Sequence, residues 1–100
     1  KIISEQKEFI LSKQFLKCGT SIGANIAEAN GAISTADFSS KISIAYKESL
    51  ESKCWLSLLK DSEFISIDAF EKMFEQADEL SRILYSILKK TRLNKKSPEE

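Results

Sequence analysis

Three glycines fall within the stretch CGTSIGANIAEANGAISTADF, residues 18–38, and the 100-residue chain has no others. Closely spaced glycines beside Ser and Thr raise the chemistry of phosphate binding, in which backbone N–H groups cradle an anion where a helix begins. That chemistry asks for a strand before the glycines and a Gly-Lys-Ser/Thr step opening the helix. Here no strand pattern precedes Gly19, and no lysine follows Gly19 or Gly23. Apolar residues keep helical spacing on both sides. Gly19 and Gly23 are four apart, on one helical flank with Ser12, Leu16 and Ala27. The sequence therefore predicts a packing motif of Gly19, Gly23 and Ala27 that lets another helix approach closely. The logic is that of small-xxx-small pairs in membrane helices.

A second set of residues offers carboxylate chemistry. Ser21, Asn25 and Glu28, with Gln14, lie beside the apolar stripe of the glycine-bearing segment; Lys41, Glu48 and Glu51 lie beside the stripe of the next. Brought face to face, they form a polar seam capable in principle of holding a cation or of acid–base work. Histidine is absent, which removes the commonest general base and the Glu-x-x-His pairs of di-iron bundles. The expected role is structural, a buried polar network that fixes helix register or subunit geometry. No catalytic residue, metal or cofactor is expected.

Other features are bounded by composition. Fifteen Lys and Arg balance fifteen Asp and Glu, so the chain as a whole does not attract nucleic acid. Its one basic cluster is Lys89, Lys90, Arg92, Lys95 and Lys96. Two readings of it stay open: a solvated helix end, or phosphate contacts that a ring of copies would multiply into a basic rim. Cys18 and Cys54 read as small apolar residues of a reducing, cytoplasmic protein. No segment reads as a membrane span or a signal peptide.

Three helices must position these groups: residues 7–30, 35–61 and 67–93, with 94–100 a polar tail. In the first, Leu11, Phe15, Cys18, Ile22, Ile26 and Ala29 share a face. In the second, Phe38, Ile42, Ala45, Ser49, Ser52, Leu56 and Leu59 do. In the third, the face is Phe70, Met73, Ala77, Leu80, Leu84, Ile87 and Leu88. Ser34 with Asp37 resembles a capping box, and Ser66 is placed to cap the third helix. The middle helix carries further apolar groups on both flanks, Ile44, Trp55 and Leu58 on one and Tyr46 and Leu50 on the other. These predict contact with another subunit or with a further helix. Trp55 reads as a core or interface anchor.

Residues Gly19–Ala29, Ser34–Phe38, Lys41–Glu48 and Trp55–Leu59 together resemble the signature of the small four-helix-bundle proteins encoded in intervening sequences of 23S rRNA genes, the S23 ribosomal protein family. The resemblance covers most of the chain. It implies an all-α, antiparallel up-and-down four-helix bundle that assembles into a ring-shaped homo-oligomer, a pentamer, and it implies no known enzymatic activity. A related branch, the accessory protein of diversity-generating retroelements, is basic and works with nucleic acid, whereas this chain is neutral. Family members carry another helix before the segment near Ser12. Only Lys1–Ile3 look like its last turn, so the first helix is expected to be largely absent from this chain and to lie upstream of Lys1. The functional expectation is a non-catalytic homo-oligomeric scaffold for a protein partner. The alternative is a nucleic-acid-binding accessory factor; an enzyme with a carboxylate site ranks last.

Overall fold

The computed structural model describes residues 2–95. They form three helices: α1 (Ile2–Asn30), α2 (Thr35–Asp61) and α3 (Ile67–Lys95). Among the described residues there is no strand. α2 is the central helix, with α1 and α3 each packed along it and no Cα of α1 within 8 Å of a Cα of α3. Short connections force consecutive helices to run antiparallel.

The expected break near Lys1–Ile3 does not occur, because α1 runs without interruption from Ile2. The intervening Ser4–Lys7 contains neither Gly nor Pro to stop it. Gly19 and Gly23 likewise sit inside the helix, with no positive φ at any described glycine, so this is no phosphate loop.

The chain connections follow from local chemistry. The Ser34 hydroxyl accepts from the Asp37 N–H at 3.0 Å, and the Asp37 carboxylate accepts from the Ile33 N–H at 3.4 Å. This is the expected reciprocal cap, returned one residue earlier than in the standard box. Ser66 caps α3 by accepting from the Ala69 N–H at 3.1 Å. α2 ends in a Schellman motif: the Phe64 N–H reaches the Leu59 carbonyl at 2.9 Å and the Glu63 N–H reaches Lys60 at 2.9 Å. Glu63 takes the left-handed position, φ 63°, that glycine usually fills.

The core lies where the periodicity puts it. Leu11, Cys18, Ile22 and Ala29 of α1 are buried, as are Ile42, Ala45, Ser49, Ser52, Leu56 and Leu59 of α2 and Leu84 and Leu88 of α3. Ile22 and Ala29 meet Leu84 and Leu88 across Ile42 and Ala45 in one cluster. Where α2 meets α3, serines replace large apolar groups. Ser49 Oγ lies 2.8 Å from Ser81 Oγ. Small side chains at this crossing let the two helices approach, and each hydroxyl also reaches a carbonyl of its own helix, Tyr46 at 2.6 Å and Ala77 at 3.0 Å.

Candidate functional site

The α1–α2 seam is built by register. With Cys18 opposite Glu51 and Glu28 opposite Lys41, residues at helical spacing on the two helices meet in pairs. Lys41 Nζ lies 2.8 Å from Glu28 Oε1. That hydrogen bond, reinforced by the carboxylate's charge, raises the Lys41 pKa above the ordinary lysine value. Both partners keep substantial solvent access, so the pair sets register more than stability. Asn25 turns back on its own helix, its amide donating to the Ser21 carbonyl at 2.8 Å and to Ser21 Oγ at 3.3 Å. Of the seam residues, the structure brings Glu28 and Lys41 together across the two helices, solvent-accessible rather than buried as expected, while Ser21 and Asn25 satisfy each other within α1.

Glu48 and Glu51 meet a partner that the periodicity assigned to the core. Cys18 Sγ, buried to 2% exposure, donates to Glu51 Oε1 at 3.8 Å. The ligand atoms of Cys18, Glu48 and Glu51 all lie within 4.8 Å of one another. Burial, then the hydrogen bond and charge of Glu48, then Glu51, push the Cys18 thiol up from its ordinary 9.0 to about 12. The Trp55 indole Nε1–H reaches the same Glu51 oxygen at 3.5 Å, so Trp55, half-buried, braces the carboxylate. A thiol facing two carboxylates is visible in sequence only through register, since Cys18 by itself reads as a small apolar core residue.

The glycine flank meets neither α2 nor α3. A Cβ added at Gly19 or Gly23 would meet nothing within 4 Å, and Ala27 is exposed. Among the described residues no helix crosses there. The flank belongs instead to the outer side of α1, where Ile2, Phe9 and Leu16 follow one another at heptad spacing and Gly23 continues the row. Their exposures are 71%, 65% and 69%, and Ile3 and Ile10 beside them are at 80% and 57%. At 100° per residue this row lies opposite the Leu11–Cys18–Ile22–Ala29 stripe. α1 is thus apolar on two sides, and the described residues cover only one.

The flanks of α2 divide. Ile44, Leu50 and Leu58 are about 40% exposed. Tyr46 is half-buried against the core and pairs with Tyr85 at a centroid distance of 5.8 Å. Tyr46 and Leu50 line a shallow hollow between α2 and α3 with Lys53, Asp78, Arg82 and Tyr85. Lys53 holds Asp78 at 3.0 Å, which lowers the Asp78 pKa below the ordinary carboxylate value. Of the basic cluster, Lys89 and Lys90 are exposed, Arg92 and Lys95 belong to the last turns of α3, and Lys96 lies outside the described residues, as does most of the predicted polar tail. No helix among the described residues is long and apolar enough to cross a membrane.

These features meet known proteins in two places. Residues 1–86 match the 23S rRNA-intervening sequence protein family. A crystal structure from Bacteroides thetaiotaomicron, of a protein of unknown function from the S23 ribosomal protein family, is 49% identical with a TM-score of 0.80, over 85% of this chain and 76% of that one. No curated protein matches the chain. Arrangement and sequence agree, and the chain belongs to the 23S rRNA-intervening sequence protein family.

Proposed function

We propose that this protein is a non-catalytic helical module that self-associates, completing its bundle and closing into a ring-shaped homo-oligomer, a pentamer, that serves as a scaffold for a protein partner. One observation carries the reading: α1 presents Ile2, Phe9 and Leu16 at heptad spacing on the side facing away from its own core, at 65–71% exposure. A heptad row of large apolar groups is the pattern of a helix seam. Leaving it in water forgoes roughly 1.5–3 kcal/mol for each side chain that a neighbour would fully cover. Beyond Leu16 the row turns small at Gly23 and Ala27, which suits a close backbone approach by the covering helix. The exposed Ile44, Leu50 and Leu58 of α2 supply further apolar surface for the same assembly.

The test is mass in solution. Light scattering across a dilution series should give five times the 11.3 kDa chain mass, and Phe9→Gln with Leu16→Gln should reduce it to the mass of one chain while helical circular dichroism persists. A parent protein that remains a monodisperse monomer at high concentration overturns the proposal.

A further inference from the structure

We propose that Cys18, Glu48 and Glu51 form a binding site for a thiophilic divalent cation of the Zn²⁺ type, one per chain, independent of assembly. The donors come from two helices and are of two kinds. α1 supplies a thiol, and α2 supplies two carboxylates one helical turn apart. All three ligand atoms lie within 4.8 Å of one another. Zn–S and Zn–O bonds of about 2.3 and 2.1 Å at tetrahedral angles set sulfur and oxygen about 3.6 Å apart and two oxygens about 3.4 Å apart. The Cys18 Sγ to Glu51 Oε1 distance is 3.8 Å, already close to such an edge. Glu48 is half-buried and Glu51 exposed, so closing the third corner needs only side-chain rotation.

A second observation points the same way. The ion pairs among the described residues involve Glu28, Asp61 and Asp78 as acids, and neither Glu48 nor Glu51. Two carboxylates thus converge on a 2%-exposed sulfur with neither taken up in an ion pair among the described residues. Trp55 fixes one of the two from outside, the kind of outer contact that orients a ligand. The exposed side of Glu51 leaves a route for the ion and a fourth position for water. On binding, the thiol proton passes to solvent and sulfur coordinates as thiolate. That donor favours Zn²⁺, Co²⁺ or Cd²⁺ over Mg²⁺ and Ca²⁺.

Co²⁺ titration of the whole chain tests the assignment. One equivalent should produce the near-ultraviolet thiolate-to-cobalt charge-transfer band and strong visible bands of tetrahedral cobalt, and Zn²⁺ but not Mg²⁺ should abolish them. Cys18→Ser should remove the charge-transfer band and Cys54→Ser should keep it. Glu51→Gln, which alters an exposed side chain and leaves the fold intact, should weaken cobalt binding at least tenfold. The assignment is overturned if the parent shows no thiolate band, if the band follows Cys54, or if Glu51→Gln binds cobalt unchanged.

Discussion

Gly23→Leu should separate the fold of the chain from its assembly. A Cβ at Gly23 meets nothing within 4 Å, and the residue lies deep inside α1. Within one chain, leucine therefore relieves a glycine penalty of about 0.8 kcal/mol in a helix interior and causes no clash. For a chain of this size that gain raises Tm by about 3–6 °C. Between chains the sign reverses. If a neighbouring helix lies against the Leu16–Gly23–Ala27 flank, the new side chain must displace it, at an overpacking cost of about 1–3 kcal/mol. With 1.4 kcal/mol per decade, the assembly then weakens by about 5- to 150-fold. Sedimentation velocity over a dilution series reads the second effect, and thermal unfolding at the most dilute point reads the first. A variant that melts below the parent when dilute would show that Gly23 is packed inside the chain. One that melts higher yet assembles with unchanged affinity would show that the outer row of α1 is not the seam.

Four further outcomes follow from local geometry. Glu63→Gly should raise stability by about 1 kcal/mol, because Glu63 holds a left-handed φ of 63° at the end of α2 and glycine adopts it without the Cβ penalty; a lower melting temperature would contradict the motif. In metal-free protein a thiol reagent near pH 8 should label one cysteine rapidly, the exposed Cys54, while Cys18, buried and pushed up to about 12, reacts only on unfolding. The folded value of about 12 lies above the ordinary 9.0, so stability is whole below about pH 9 and falls as pH rises toward 12, a loss that Cys18→Ser should blunt. Two hydroxyl protons serve three contacts among Ser49, Ser81, Tyr46 and Ala77. Ser49→Ala and Ser81→Ala should therefore be non-additive by roughly 1 kcal/mol in a double-mutant cycle of chemical denaturation, and strict additivity would show that the two hydroxyls do not share a proton.

What could be read from the sequence divides along a physical line. The buried faces of α1, α2 and α3 were legible because burial on one side of a helix leaves a 3.6-residue trace, and Leu11, Ile42, Leu56 and Leu84 follow it to within 8% exposure. Ser34 and Ser66 were legible because an N-cap is a local bond. Glu63 was not, since a Schellman turn is ordinarily announced by glycine and here the chain bends without one. The outward side of the glycine flank was also hidden. Gly19, Gly23 and Ala27 state that a helix can come close, but not whether it belongs to the same chain. Cys18 was hidden for a related reason. Its place in the apolar stripe is correct, yet the stripe borders the polar seam at one residue, and only the pairing of α1 with α2 aims its sulfur at Glu51, 3.8 Å away. Periodicity reports which side of a helix is inside. It is register between helices, set here by contacts such as Lys41–Glu28 at 2.8 Å, that turns two separate lists of side chains into a site. Shifting α1 by one turn against α2 would carry Cys18 away from both carboxylates while leaving every buried face apolar. The chemistry proposed at Cys18 therefore depends on that salt bridge and its neighbours holding α1 in place along α2.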